Sequence, residues 1–217
     1  MKDISLKSIS NIKLQTLIGG LLGDSSLTVR GVNGACRLKM GHTEDHLDYL
    51  LWKKEILQDL FLQHKPNSYN GKSTWSSKVF YSFQSIQTHL LKETLPLFYR
   101  TINGKKKRKI TWKTLKYLDE FGLLIWYLDD GCLVKDKREL IKGKTINIYS
   151  DAYSLSEQKI IKRFLWKRFR LEAKIQFDKT HNIYYIRFNR KESLRIFSIF
   201  QGFYASLPKS MLYKIDK

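Results

Sequence analysis

Two apolar stretches of this chain run straight into carboxylates. LQTLIGGLLGDSS, residues 14–26, ends at Asp24, and LDEFGLLIWYLDDG, residues 118–131, ends at Asp129 and Asp130. Each reads as a helix, yet the C-terminal end of a helix is the unfavourable end for negative charge. The first stretch also carries Gly19 and Gly23, and each glycine weakens a helix by about 1 kcal/mol relative to alanine. Glycines spaced i, i+4 lie on one ridge and let a second backbone approach closely. If the two acid-ended helices pack on each other, their ends bring Asp24 and its counterpart to one point. Carboxylates forced together must share a proton or a cation. Beside a phosphate-binding surface the fitting cation is Mg²⁺, which takes carboxylate, phosphate and water. Consecutive helical residues point about 100° apart, so Asp129 and Asp130 cannot both face the partner helix. Register pairs Asp130 with Asp24 and puts Asp129 in the place of Gly23.

The elements that must position these acids occur twice in the same order. After the first acid-ended helix comes a hairpin, with Leu27–Arg30 and Ala35–Met40 flanking the turn-rich GVNG. A helix follows over TEDHLDYLLWKKEILQDLF with Thr43 as its N-cap, then a strand in STWSSKVFYSF and a helix in IQTHLLKETLPLFYR. The second half reads the same way: a strand in TINIYS and a helix in SLSEQKIIKRFLWKRF, opened by the capping-box pair Ser154 and Glu157. EAKIQFD and NIYYIRFN then form a hairpin across KTHN, and LRIFSIFQGFY closes as a helix. Between the halves, TINGKKKRKITWK reads by composition as a solvated linker. The expected architecture is a mixed α+β fold of two pseudo-symmetric halves, residues 1–103 and 114–217, joined by a basic linker at 104–113.

Composition narrows the class of partner. The 217 residues are 42% hydrophobic with 3 prolines, which excludes disorder over most of the chain. Lys and Arg number 40 against 20 Asp and Glu, a formal net charge of +20, and the usual reason to tolerate such self-repulsion is a polyanion. The longest apolar run, LLIWYL, is far short of the roughly 20 residues of a membrane span. No signal-peptide core opens the sequence, so the expectation is the cytoplasm of a bacterium or archaeon, or an organellar matrix, and not secretion or a membrane. Two cysteines fit a reducing compartment and leave no disulfide framework or cysteine-based zinc site.

The stretches LIGGLLGDSS and LLIWYLDDG, with the repeated order around them, resemble the two motifs of a single-chain LAGLIDADG homing endonuclease. Gly19, Gly23 and Asp24 stand at the pattern's first glycine, its small residue and its final acid, while the second copy has Ile125 and Asp129 where the first has glycines. The resemblance implies two αββαββα halves, each with a twisted antiparallel sheet, packed through the motif helices. It implies a monomer that hydrolyses both strands of a long, specific double-stranded DNA site. Two or three divalent ions, Mg²⁺ with Mn²⁺ able to substitute, would lie between Asp24, Asp130 and the scissile phosphates, with Gly23 and Asp129 as further ligands. The lysine of SLPKSMLYKID, Lys214, is implied as a catalytic base-assisting cation, and Lys107, Arg108 and Lys109 remain open for the same role in the other half. Arg30, Arg37 and Lys39, and Asn147, Tyr149, Arg187 and Asn189, are implied readers or phosphate contacts on the sheets. Lys105, Lys106 and Arg108 would grip backbone phosphate. The competing class is a non-cleaving binder on the same fold, an RNA maturase acting on its own intron RNA or a DNA-binding regulator.

Other chemistry-bearing residues read as bland. His42 and His46 have the spacing of two zinc ligands on a helix but lack the adjoining glutamate and a third ligand. Cys132 reads as a small packed apolar residue, and Trp52, Trp126 and Trp166 as core.

Overall fold

A computed structural model of the chain describes residues 6, 8–30, 35–62, 65–70, 78–135 and 144–215. The first half runs α1 (Asn11–Leu22), β1 (Ser26–Arg30), β2 (Ala35–Thr43), α2 (Leu47–Ile56), β3 (Asn67–Asn70), β4 (Val79–Gln84) and α3 (His89–Phe98). Between the halves lie β5 (Tyr99–Ile102), β6 (Lys105–Arg108) and the short α4 (Trp112–Leu115). The second half runs α5 (Glu120–Asp130), β7 (Gly131–Lys135), β8 (Lys144–Tyr149), α6 (Leu155–Phe169), β9 (Lys174–Asp178), β10 (Ile183–Arg187) and α7 (Arg190–Phe200), followed by 3-10 turns at Gln201–Ser206 and Lys209–Lys214. Each half is therefore αββαββα. The sheet orders match as well, β1-β2-β4-β3 and β7-β8-β10-β9, antiparallel throughout.

The axis of this repeat is the pair α1 and α5, which pack on each other. Their inner turns are buried on every side, Gln15–Leu22 in α1 and Phe121–Leu128 in α5, as expected for helices covered by a sheet on one face and a helix on the other. Gly19 in α1 and Gly23 just past its end make the contact possible. A β-carbon on Gly19 would lie 2.4 Å from the Gly122 carbonyl oxygen and 2.7 Å from Ile125 Cβ, and one on Gly23 would lie 2.4 Å from Asp129 Cβ. The residues that replace glycine in the second motif, Ile125 and Asp129, are thus the ones that fill the glycine gaps of the first. Gly19→Ala is expected to destabilise by about 1–3 kcal/mol, the range for overpacking a filled core. Gly202→Ala, where nothing lies within 4 Å, is expected to stay within about 0.5 kcal/mol. Urea unfolding of both variants checks the pair.

Helix starts follow the sequence in most places. Ser154 and Glu157 form the reciprocal capping box of α6, Asp119 accepts from the N–H groups of Phe121 and Gly122 at the start of α5, and Thr88 caps α3. Thr43 does not cap α2. It is the last residue of β2, paired with Phe80, and a 3-10 turn at Glu44–His46 separates it from the helix, which starts at Leu47. The GVNG turn and the STWSS part of the fourth strand lie outside the described residues.

The stretch read as a solvated linker folds. TING and KKKR form the hairpin β5–β6, turned by Asn103 (φ 50°) and Gly104 (φ 72°), both left-handed as a two-residue hairpin turn of the primed type requires. Among the described residues no helix is long and apolar enough to cross a membrane.

Candidate active site

The C-terminal ends of α1 and α5 reach one cleft of about 260 Å³, lined by Gly23, Asp24, Arg108, Asp130, Asp151 and Tyr153 among others. Asp24 leaves the turn after α1, and Asp130 is the last residue of α5. Burial, and next the charge of Asp129, raise the Asp24 carboxyl from 3.8 to about 6. Burial raises Asp130 further, to about 8, with the charges of Asp24 and Asp129 adding to it. Both shifts say that the ionised carboxylates have lost solvation in the cleft and that the neighbouring acids add to the cost of their charge. Oxygen donors in that condition suit a hard divalent ion, and the helix C-termini add to the attraction for positive charge.

Asp129 is in a different situation. Its carboxylate is fully buried, yet Oδ1 accepts from the Lys53 ammonium at 2.8 Å and from the Tyr49 hydroxyl at 2.8 Å, while Oδ2 accepts from the Asp24 backbone N–H at 3.2 Å. Lys53 Nζ is also 2.9 Å from His42 Nε2. An ammonium has no lone pair to offer, so Nε2 must be the acceptor and the proton of neutral His42 sits on Nδ1. That nitrogen lies 3.6 Å from Asp24 Oδ2. Burial first, and then the Lys53 charge, push the His42 pKa far down and hold the ring neutral. Asp24, His42 and Asp129 could together offer three metal-ligand atoms within 4.8 Å of one another, but the Lys53 ammonium already touches two of the three residues. Here the protein supplies its own cation.

Two further cations close the helix ends. Arg108 donates from Nη1 to the Gly23 carbonyl at 2.6 Å and from Nη2 to the Ser25 carbonyl at 2.7 Å. Lys214 donates to the Leu128 carbonyl at 2.6 Å and the Asp129 carbonyl at 3.3 Å. Burial lowers the Lys214 pKa, opposed by the three neighbouring aspartates. The two are counterparts, since Arg108 follows Asp24 by the same number of residues as Lys214 follows Asp130. Arg108 thus takes the place for which Lys107 and Lys109 also stood. Strand parity is the reason. Arg108 and Lys106 share one side of the hairpin, Lys105 and Lys107 the other. Lys107 is exposed, and Lys109 lies beyond the strand with its N–H bonded to the Phe98 carbonyl. Neither lines the cleft.

The sheet residues divide by parity too. In β2, Cys36, Leu38, Met40 and His42 are buried, so Arg37 and Lys39 present to the opposite face. Arg30 ends β1 opposite Ala35, and its side chain lies outside what is described. In the second sheet Ile146, Ile148 and Ile186 point to the core, leaving Tyr149, 36% exposed, and Arg187 on the open face. Asn147 shares that face but is nearly covered, and its Oδ1 has no partner among the described residues. Asn189 does not extend the β10 face with Arg187; it lies past the strand and caps α7 through its side-chain oxygen. Lys105 is exposed at the hairpin tip. Lys106 instead donates to the Leu27 carbonyl and sits 4.6 Å over the Tyr99 ring, so it braces the hairpin. Cys132, read as packed, is exposed, and so is Trp166 at 45%.

Lys53 and His42 were missed as a functional pair, although the sequence carries a signal for each. Lys53 interrupts the apolar stripe of Leu50 and Leu57, and His42 continues the inward alternation of Cys36, Leu38 and Met40.

Comparison with known proteins agrees with this construction. The model of the LAGLIDADG DNA endonuclease family matches residues 14–197. A protein of Wickerhamomyces canadensis named probable intron-encoded endonuclease 1 is 26% identical over 82% of this chain and 75% of its own length. Protein RecA of Mycolicibacterium flavescens is 31% identical over 57% of the chain, and the match spans only 26% of that protein. The homing endonuclease I-WcaI bound to its DNA recognition sequence shares the fold, with a TM-score of 0.80, 22% identity, and 98% of this chain and 88% of that one covered.

Proposed function

We propose a function from one premise: the chain belongs to the LAGLIDADG DNA endonuclease family. It is a site-specific endonuclease that hydrolyses both strands of double-stranded DNA, working as a monomer because both halves of the site come from one chain. The observation that carries this reading is the pair of carboxylates, Asp24 and Asp130, brought into one cleft at the joint end of two helices, both with pKa values raised above the ordinary range. A pure binder gains nothing from such a pair.

The donor set fits Mg²⁺, with Mn²⁺ as a substitute. Asp24 and Asp130 would hold it, and the Gly23 carbonyl is already taken by Arg108. When bound, such an ion lowers the pKa of a water and neutralises a leaving oxygen. The chain's own residues do the rest. Arg108 and Lys214 fix the ends of α1 and α5 and place a positive charge beside each strand's phosphate. His42, held neutral, turns its Nδ1–H side toward the Asp24 carboxylate, 3.6 Å away. Arg37, Lys39, Tyr149 and Arg187 on the open sheet faces contact the duplex, where the major groove distinguishes every base pair.

The test uses a plasmid carrying the uninterrupted form of the chain's own coding locus. Linear product is expected with Mg²⁺ and none with EDTA. Arg108→Ala should slow cutting at least about tenfold, and Lys107→Ala should leave it within about twofold. Tight binding with no cut under any divalent ion would replace the enzyme by a maturase or regulator.

A further inference from the structure

The open sheet faces do not use all of the positive charge. In the second half, α6 buries Ile161, Phe164, Leu165 and Phe169 inward, toward the same side of the sheet as Ile146, Ile148 and Ile186. Tyr149 and Arg187 point the other way. The outer face of α6 is therefore on the far side of this half from the groove-facing surface, and a duplex lying on the sheets cannot reach it.

That far side is basic and aromatic. Lys159, Arg163 and Lys167 form one i, i+4 row along α6, and with Trp112 of α4 they line a cleft of about 430 Å³. Beside it, Lys162 and Trp166 line a second cleft of about 280 Å³ that also takes in Lys174. Trp112 is 43% exposed and Trp166 45%, a poor use of two large apolar rings unless something covers them. The Lys167 ammonium stands 5.5 Å from the Trp112 ring centre, and the Arg170 guanidinium 5.9 Å from that of Trp166. Arg168 pairs with Glu120 at 3.6 Å, but among the described residues Lys159, Lys162, Arg163 and Lys167 have no acidic partner.

We propose that the outer face of α6, with Trp112, binds an unpaired stretch of a polynucleotide, whose bases stack on Trp112 and Trp166 while the lysine and arginine rows hold its phosphates. The charge calls for a polyanion, and the two half-exposed rings, each with a cation set over it, select the unpaired form, because a duplex keeps its base faces to itself. Stacking on aromatic side chains along a basic track is how single strands are held without sequence readout. The site stands apart from the cleavage cleft and does not depend on cleavage.

Fluorescence anisotropy tests it with labelled rU12 and dT12, and with a labelled 30-base-pair duplex. Trp112→Ala/Trp166→Ala is expected to weaken the single-strand probes roughly 10- to 100-fold, as loss of stacked bases does, and to leave duplex affinity within twofold. Lys159→Glu/Arg163→Glu, both exposed and away from the Trp112 packing contact with Phe164, should do the same, which guards against misfolding of the tryptophan variant. Arg37→Ala/Arg187→Ala should show the reverse pattern, and excess unlabelled duplex should not displace rU12 from the wild type. A preference for rU12 over dT12, or the converse, identifies the polynucleotide. The proposal is overturned if the α6 variants leave both single strands unaffected, if they weaken duplex equally, or if only anionic phospholipid vesicles bind in a tryptophan-dependent way.

Discussion

Asp130→Asn is expected to lower cleavage by about 10³-fold or more, and in the same protein to raise the melting temperature measured in EDTA. The first effect follows from the proposed function, in which Asp130 is one of two carboxylates that would hold a divalent ion, whose stabilisation of the reacting phosphate is several kcal/mol. The second follows from the raised pKa. In the fold the carboxyl titrates at about 8 against 3.8 for an ordinary aspartate. The folded state therefore holds its proton more tightly than the unfolded chain does. Its contribution to stability is complete below about pH 4 and is lost as pH rises through 8. Above that pH the wild type must either bury a charge or bind a cation. Asparagine removes the titration, so the gain should be near zero at pH 4 and grow toward pH 8, reaching about 1–2 kcal/mol, or roughly 2–8 °C for a chain of this size. Mg²⁺ should raise the wild-type melting temperature more than that of the variant and narrow the gap. Melting curves from pH 5 to 9, in EDTA and in Mg²⁺, read both terms. A variant less stable than wild type at pH 8 in EDTA would mean that Asp130 is a structural acid.

The acids were legible in the sequence because their signal is local. An apolar run, glycines at i and i+4 and a terminal acid stand within a dozen residues, and the same order of elements recurs in the second half. The Asn-Gly turn of the β5–β6 hairpin is also a strong local signal, but it sits between TI and KKKR, where no apolar alternation announces strands. β3, with the sequence NSYN, and β7, running directly out of α5, lack such alternation for the same reason; partners in the sheet hold them. The choice among Lys107, Arg108 and Lys109 could not be made until those strands were known, because parity decides which side chain turns inward. Trp166 misled for a related reason. Its spacing on α6 resembles that of a core residue, but the inward stripe is Ile161, Phe164, Leu165 and Phe169, and Trp166 lies about 100° off Leu165.

Lys53→Met is expected to destabilise the protein by about 3–5 kcal/mol, the loss seen when one partner of a buried ion pair is removed. The lysine side chain is 1% exposed and the carboxylate it meets is 0% exposed, so no water replaces the missing ammonium. Tyr49 and the Asp24 N–H still donate to Asp129, but neither brings a full charge. Adding Asp129→Asn to Lys53→Met removes the charge that needs a partner, and the asparagine oxygen can still accept from Tyr49. The double variant is therefore expected to recover about 2–3 kcal/mol, a coupling of the size that contacting buried pairs show in double-mutant cycles. If Lys53→Met stays within about 0.5 kcal/mol of wild type, the pair is not what holds Asp129 in place. The same cycle separates the two acids of the second motif. Asp129 fills the gap left by Gly23 and needs Lys53, so its effects should appear in stability. Among the described residues Asp130 has no ion pair in contact, Arg108 acting on it only at longer range, so its effects should appear in metal response and cutting.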